Sequence, residues 1–125
     1  KRTVKFEARN IFDPTIMDKK NANLFDAVVL SEVLEHLEEP EQAIRVLLHI
    51  CKPGGRTWIN VPANSPAPDH LFLVKEPAQA ERLVRDVGFK IVDTANFAMT
   101  GVTMERAIKQ QLTITCIVVG ERPAS

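Results

Sequence analysis

Two carboxylates and an imidazole lie close together in the motif E-x-x-E-H, which is formed by Glu32, Glu35 and His36. Residues three and four apart face the same side of a helical turn, so this spacing brings the three groups together. A second imidazole, His70, follows the next predicted strand. Such a set can hold a divalent cation. The alternative, which we favour, assigns no metal: Glu35 caps or pairs locally and His36 packs at the wall of a pocket.

The two histidines are also candidate catalytic residues. Histidine is the side chain that titrates near neutral pH without any perturbation by its surroundings. His36 or His70 can therefore act as the general base that takes a proton from a hydroxyl or amine.

The overall composition excludes several classes of function. The 125 residues carry 16 basic and 16 acidic side chains, which leaves no field to attract polyphosphate, so we expect no nucleic-acid partner. Cys51 and Cys116 are too few for a disulfide framework and are expected to be buried free thiols. We find no apolar run of membrane-spanning length and no signal peptide. We expect one soluble, cytoplasmic domain over residues 1–125, with no membrane partner.

Apolar patterns predict the strands that must position these groups. Residues 3–8 alternate apolar and polar side chains, which predicts a strand covered on one face. Residues 25–30 form an apolar run, which predicts a strand buried on both faces of a parallel sheet. Further strands are predicted over residues 57–61, 89–94 and 112–119.

Two helices are expected between these strands. The first begins at Pro40, because proline suits the first helical position, and it ends at the K-P-G-G turn of residues 52–55. The second covers residues 77–87 and ends at Gly88, and the proline-rich residues 62–69 form a loop. This order predicts an α/β fold with a mostly parallel sheet of about five strands and helices on its faces.

The stretch FDAVVLSEVLEHLEEPEQAIRVLLHICKPGGRTWINVP, residues 25–62, resembles the second half of class I S-adenosylmethionine-dependent methyltransferases of the small-molecule type. The segment VKFEARNIFD is similar to the third strand of that family and the loop after it, and VGFKIVDT to the passage into its sixth strand. The resemblance implies a Rossmann-like sheet with the strand order 3-2-1-4-5-7-6 and an antiparallel last strand.

The resemblance also implies S-adenosylmethionine as cofactor, bound beyond the carboxyl ends of the strands. Ser31 and Glu32 would face the methionine end of the cofactor and the substrate pocket. Asn10 would accept a hydrogen bond from the adenine amino group, and Ile11 would contact the ring. Asn10 and Ser31 can instead cap the turns that follow them. Some quinone-biosynthesis O-methyltransferases and RNA 3′-end methyltransferases with a similar E-x-x-E-H motif use a metal that polarises a substrate hydroxyl.

The first two strands of the family and its glycine-rich cofactor loop have no counterpart here, since no G-x-G-x-x-G sequence occurs. We therefore expect a partial methyltransferase domain, truncated on its N-terminal side, that is inactive alone and binds the cofactor weakly. The strand at residues 3–8 would then pair with that at 25–30, or a second chain would pair with the unpaired edge in a homodimer.

The function expected from the sequence is S-adenosylmethionine-dependent methyl transfer, by in-line displacement, to a hydroxyl, amine or carbon of a small-molecule acceptor. One alternative is a non-catalytic, methyltransferase-like scaffold or oligomerisation module. Another is a nucleotide-binding fold of a different kind, in which SEVLEH only begins a helix and KPGG is only a turn.

Overall fold

The computed structural model describes residues 3–65 and 67–124, so Pro66 of the predicted loop lies outside the described residues. The strands are β1 (Phe25–Ser31), β2 (Cys51–Ala63), β3 (Lys90–Ala98) and β4 (Ile114–Glu121). The helices are α1 (Pro40–Ile50), α2 (Pro77–Val87) and α3 (Met104–Lys109), and short 3-10 turns cover Pro14–Met17, Lys19–Asn21 and Leu34–His36. Among the described residues, no helix is long and apolar enough to cross a membrane.

The described strands form one sheet in the order β1-β2-β4-β3. β1 and β2 are parallel, and β4 is antiparallel to both of its neighbours. Consequently β1, β2 and β3 run in one direction and the last strand runs in the other. The predicted α/β fold with an antiparallel last strand is confirmed, and the order agrees with positions 4-5-7-6 of the implied sheet.

One face of the sheet carries the hydrophobic core. Ala43, Ile44 and Leu47 of α1 and Ala80 and Val84 of α2 are buried against it. The strand residues in this core include Val28, Leu30, Ile59, Val61, Cys116 and Val118. Each buried Val, Leu or Ile side chain of this core stabilises the fold by about 1.5–3 kcal/mol. Both helices begin at the prolines that the sequence indicated.

The opposite face of the sheet is open in the part of the chain that the structure describes. Val29, Trp58 and Val119 are direct neighbours across β1, β2 and β4. Val29 is 67% exposed and Trp58 is 45% exposed, and Phe97 of β3 is also exposed. The prediction that residues 25–30 are buried on both faces is therefore wrong, because α1 and α2 both cover the other face.

Residues 3–10 form no strand, and Val4 and Phe6 are 80% and 91% exposed. The predicted strand over residues 3–8 and its pairing with residues 25–30 are therefore wrong. The described sheet has four strands rather than about five. An alternating pattern does not supply the hydrogen-bonded neighbour that stabilises a strand.

β2 begins at Cys51, earlier than the predicted start at residue 57. The K-P-G-G sequence is therefore part of an extended segment rather than a separate turn. Gly54 has a φ of 80°, a conformation that glycine adopts without steric cost. The Gly54 amide donates to the Arg122 carbonyl oxygen at 2.8 Å, and the Arg122 amide donates to the Gly55 carbonyl oxygen at 2.9 Å. These bonds hold the segment against the end of β4.

The connection between β3 and β4 contains α3, which the sequence patterns did not predict. Thr103 caps this helix, because its hydroxyl oxygen accepts a hydrogen bond from the Arg106 amide at 3.1 Å. α3 is too short to show a clear helical period in the sequence. β3 and β4 each begin and end later than the strands predicted over residues 89–94 and 112–119, respectively.

Candidate functional site

The carboxyl ends of β1 and β2 lie side by side, because the two strands are parallel. Ser31, the last residue of β1, pairs in register with Asn60 of β2. Glu32 follows with a φ of 56°, a left-handed conformation that is uncommon for a residue with a Cβ atom. Its amide donates to the Asn60 carbonyl oxygen at 2.9 Å. The chain turns at this point, and Ser31 and Glu32 are both exposed.

A 3-10 turn, Leu34–His36, follows this strand end. In the described part of the chain no side chain caps the turn, so Ser31 does not take the capping role that was its alternative. Glu35 within the turn is only 2% exposed. Its carbonyl oxygen accepts hydrogen bonds from the amides of Leu71 at 2.7 Å and Phe72 at 3.1 Å. These two bonds fasten the loop after β2 to the turn.

The Glu35 carboxyl is buried, and its Oε1 atom has no hydrogen-bond partner among residues 3–65 and 67–124. Burial raises the pKa of the Glu35 carboxyl above its ordinary value of 4.5, and the neighbouring Glu32 carboxyl raises it further. A buried acceptor without a donor costs about 1–3 kcal/mol. A proton or a cation bound at this carboxyl would remove that cost.

His36 and His70 meet edge to face, with ring centroids 4.9 Å apart. His36 Nδ1 lies 3.1 Å from the Asp69 carbonyl oxygen and 3.4 Å from Asp69 Oδ2. His70 Nδ1 contacts the Ser65 carbonyl oxygen. A carbonyl oxygen only accepts, so Nδ1 carries the proton and the neutral ring keeps a lone pair on Nε2. Both imidazoles therefore have a basic Nε2.

Donor atoms of Glu35, His36 and His70 lie within 4.8 Å of one another. One carboxylate and two imidazoles can ligate a divalent transition-metal ion. In metal-binding histidines, the ring nitrogen that does not bind the metal typically donates a hydrogen bond to an oxygen, as Nδ1 does in both histidines here. Glu32, although part of the E-x-x-E-H motif, is not a member of this group. The loop after β2 brings His70 into the group instead.

Asn10 and Ile11 are not brought to this group. Asn10 Oδ1 accepts a hydrogen bond from the Phe12 amide at 2.9 Å, which is the turn-capping alternative to adenine recognition. Ile11 lines a groove of about 560 Å³ whose walls include the first residue of β1 and the last residue of α1. This groove reaches the amino end of β1, whereas the other predicted site residues lie at or after the carboxyl end of that strand.

Two residues beside the site were not found from the sequence. Asn60 has no motif around it, and only the strand register places it next to Ser31. Asp69 lies in the proline-rich loop, and the tertiary fold brings it to His36. A polar residue near the carboxyl end of a predicted strand is the signal that could have identified Asn60.

A family model described as a methyltransferase domain matches residues 3–94. A ubiquinone biosynthesis O-methyltransferase of Xanthomonas axonopodis pv. citri (strain 306) is 36% identical over 55 residues, which are 44% of this chain and 23% of that protein. The mitochondrial ubiquinone biosynthesis O-methyltransferase of Rattus norvegicus is 48% identical over 40 residues, or 32% of this chain and 12% of that protein. The alignments thus span less than a quarter of these relatives.

Solved structures share the fold at low sequence identity. The cyclase SpnF superposes with a TM-score of 0.66 at 18% identity, over 88% of this chain and 55% of that chain. A 1,6-didemethyltoxoflavin-N1-methyltransferase of Burkholderia thailandensis has a TM-score of 0.59 at 18% identity, over 86% of this chain and 48% of that chain. A cyclase and a methyltransferase share this architecture, so these similarities show the fold alone.

Proposed function

Because the chain belongs to the methyltransferase domain family, we propose that it is the substrate-side part of an enzyme that transfers a methyl group from S-adenosylmethionine to a hydroxyl, amine or carbon of a small molecule. The observation that best supports this proposal is the position of four side chains near the carboxyl ends of β1 and β2: Ser31, Glu32, His36 and His70. Ligands of open α/β sheets bind in the crevice outside these ends. Two relatives named as O-methyltransferases support a hydroxyl as the first acceptor to test.

The residues around the strand end fit one side of the cofactor. Ser31 offers an exposed hydroxyl, and Glu32 at the turn is exposed as well. No glycine precedes Gly54 in the sequence, so the residues around Ser31 supply no glycine-rich amide cradle. Such amides hold the negatively charged end of nucleotide-like ligands. The isolated chain should therefore bind S-adenosylmethionine weakly.

Bound S-adenosylmethionine supplies an electrophilic methyl group on a sulfonium. The role of this chain is to prepare the acceptor. The Nε2 atom of His36 or His70 would take the proton of an acceptor hydroxyl and so make its oxygen the nucleophile for the methyl group that S-adenosylmethionine would supply, with S-adenosylhomocysteine as the leaving group. Asp69 and the Ser65 carbonyl oxygen hold the two rings in place through Nδ1. Amine and carbon acceptors require alignment more than proton removal.

The same residues also fit a divalent cation. Within the described chain, Glu35 Oε1 has no other partner, and the donor atoms of Glu35, His36 and His70 are within 4.8 Å of one another. A cation held there would supply positive charge that polarises an acceptor hydroxyl. A histidine nitrogen that ligates the cation has no lone pair left for proton transfer. The cation and the histidine base are therefore alternative ways to activate the same acceptor.

Calorimetric titration with S-adenosylhomocysteine tests the proposal. The whole natural protein that contains this sequence should bind the ligand, and Ser31→Ala should weaken binding by about three- to tenfold, the loss of one hydrogen bond. The isolated 125-residue chain should show little binding. Micromolar binding by the isolated monomer would contradict the role given to the missing amide cradle. Absence of binding by the whole protein would contradict the proposed function.

A second candidate function is a non-catalytic scaffold, and the open sheet face favours it. Val29, Trp58 and Phe97 are exposed on that face, and no described strand pairs with the outer edge of β1. An unpaired edge beside apolar side chains promotes association with another chain. A scaffold predicts a homodimer through this edge and no methyl transfer, so sedimentation velocity together with a transfer assay separates the two candidates.

A further inference from the structure

We propose that Asn60 is a positioning residue that makes the Ser31 hydroxyl a hydrogen-bond donor to the ligand. This inference rests on the proposed function, because it concerns the same crevice. The sequence motifs do not include Asn60, and none of the roles assigned above involves its side chain. The argument follows from two contacts of this residue and from one of its atoms that is unpaired.

The first contact joins the two side chains. Asn60 Nδ2 donates to Ser31 Oγ at a distance of 3.4 Å. A hydroxyl that accepts a hydrogen bond keeps its own proton for a different acceptor. Ser31 is exposed at the strand end, so this proton is free for a ligand oxygen such as a carboxylate. Without the Asn60 amide, the hydroxyl can rotate and its role as donor is no longer set.

The second contact fixes the main chain of Asn60. Its carbonyl oxygen accepts the Glu32 amide at 2.9 Å, and Glu32 is held in a left-handed conformation. Such a conformation persists in a residue with a Cβ atom where its surroundings hold it in place. Asn60 is also paired in register with Ser31 across the sheet. Its side chain therefore starts from a fixed position beside the Ser31 hydroxyl.

The third observation concerns the other half of the Asn60 amide. Its Oδ1 atom is buried and lacks a hydrogen-bond partner in the described part of the chain. Buried acceptors are nearly always paired, so the unpaired Oδ1 atom requires an explanation. Among the described residues, the Asn60 amide makes its side-chain hydrogen bond through Nδ2, to Ser31. The paired half of the amide is therefore the donor half, as the proposed positioning role requires.

A double-mutant cycle tests this inference in the whole natural protein. The affinity for S-adenosylhomocysteine is measured by calorimetry for wild type, Ser31→Ala, Asn60→Ala and the double variant. Each single substitution should weaken binding by about three- to tenfold. The double variant should bind no more weakly than either single variant, because both substitutions remove the same hydrogen bond to the ligand. Additive losses, or unchanged affinity in either single variant, would overturn the inference.

Two further variants separate positioning from folding. Asn60→Asp keeps the size of the side chain, but its carboxylate only accepts and would draw the hydrogen bond of the Ser31 hydroxyl to itself, so binding should weaken as in Asn60→Ala. Thr57→Val is the matched control on the same strand, since Thr57 Oγ1 is also buried and unpaired within the described residues but does not contact Ser31. It should bind normally. Unweakened binding by Asn60→Asp would overturn the inference, whereas a wild type that does not bind rejects the proposed function as well.

Discussion

Glu35, within the 3-10 turn Leu34–His36, is buried, and acidic side chains are rarely buried in proteins. Its own carbonyl oxygen is paired twice, to Leu71 and Phe72, which holds the residue there whatever the state of its side chain. The fold therefore imposes the burial, and the raised pKa of the Glu35 carboxyl follows from it. The carboxyl is left to bind either a proton or a cation.

The pH dependence of the free energy of unfolding should report the protonation of the Glu35 carboxyl. Because the folded state raises the pKa of Glu35 above 4.5, the stability associated with this group is fully present below about pH 4.5 and is lost as the pH rises through the folded value. Glu35→Gln should remove this loss and make the protein more stable at pH 8 by about 1–3 kcal/mol. Urea unfolding from pH 4 to pH 8 in a chelating buffer measures it.

The control for this experiment is Glu38→Gln, which replaces an exposed carboxylate in the same segment. Its stability should follow the wild-type curve within about 0.5 kcal/mol at every pH. Parallel curves for Glu35→Gln and wild type would show that the Glu35 carboxyl does not titrate differently in the folded and unfolded states.

A cation bound by Glu35, His36 and His70 should raise the melting temperature of the protein. Magnesium, manganese or zinc at about 100 times its dissociation constant would add roughly 2.7 kcal/mol of stability. The double variant His36→Ala/His70→Ala should lose this response, and His49→Ala should keep it, because His49 Nε2 instead contacts the Asp18 carbonyl oxygen. Differential scanning fluorimetry is sufficient. A wild-type melting temperature unchanged by all three cations would contradict the metal site and leave a histidine general base as the way to activate the acceptor.

Secondary structure elements with local signals could be predicted, and those that depend on distant partners could not. Proline at the first position and glycine after the last define α2 as Pro77–Val87, as predicted. β1 was predicted from its apolar residues almost to the residue. The strand predicted at residues 3–8 failed because no strand within the described residues pairs with it, and the early start of β2 depends on hydrogen bonds to Arg122.

The residues of the candidate site also fall into those that a local sequence pattern predicts and those that depend on distant contacts. Ser31, Glu32 and His36 were identified from a contiguous motif, and the fold keeps them near the carboxyl end of one strand. The approach of His70 to His36 depends on the loop after β2, and the pairing of Asn60 with Ser31 depends on strand register. Contacts between elements of this kind have no local sequence pattern.

Arg122 links the end of the sheet to the end of α1. Its Nη1 atom donates to the carbonyl oxygens of Leu48 at 3.0 Å and Cys51 at 2.6 Å, and to Asn23 Oδ1 at 2.6 Å. A positive charge at the carboxyl end of a helix also complements the helix dipole. The side chain therefore satisfies the Leu48 carbonyl group at the end of α1 and the Cys51 carbonyl group at the start of β2.

Arg122→Met should destabilise the protein by about 1.5–3 kcal/mol, the range for hydrogen bonds from a charged donor. Chemical denaturation of the purified chain measures the change. The comparison variant is Arg56→Met, whose exposed pair with Glu121 should contribute less than about 1 kcal/mol. Equal effects of the two substitutions would contradict the role assigned to Arg122.

At the scale of the whole molecule, the sheet has one face covered by helices and one face open in the described residues. The open face carries the row Val29, Trp58 and Val119, and the adjacent outer edge of β1 has no described partner strand. The chain also spans only about half the length of the cyclase and of the methyltransferase whose structures share its fold. An apolar surface of this kind should associate with another protein segment or with a second copy.

The isolated chain should therefore self-associate at high concentration. Val29→Asp and Phe97→Asp each place a charge on the open face, and both should shift sedimentation velocity profiles towards the monomer. Their melting temperatures should change little, because both wild-type side chains are more than half exposed. Ile108→Asp, which replaces an exposed apolar side chain of α3 outside the sheet, is the control. A monomer at all concentrations for wild type would contradict the expectation.

Methyl transfer tests the central claim most directly. The whole natural protein is incubated with S-adenosylmethionine labelled in its methyl group and with the small-molecule fraction of its host cells. Label should enter small molecules, and for a hydroxyl acceptor His36→Ala/His70→Ala should reduce the rate by about 100-fold or more, the contribution of a general base or of the group that replaces it. A folded whole protein that transfers no label would contradict the account, and a double variant that methylates a hydroxyl at the wild-type rate would contradict the role given to the two histidines.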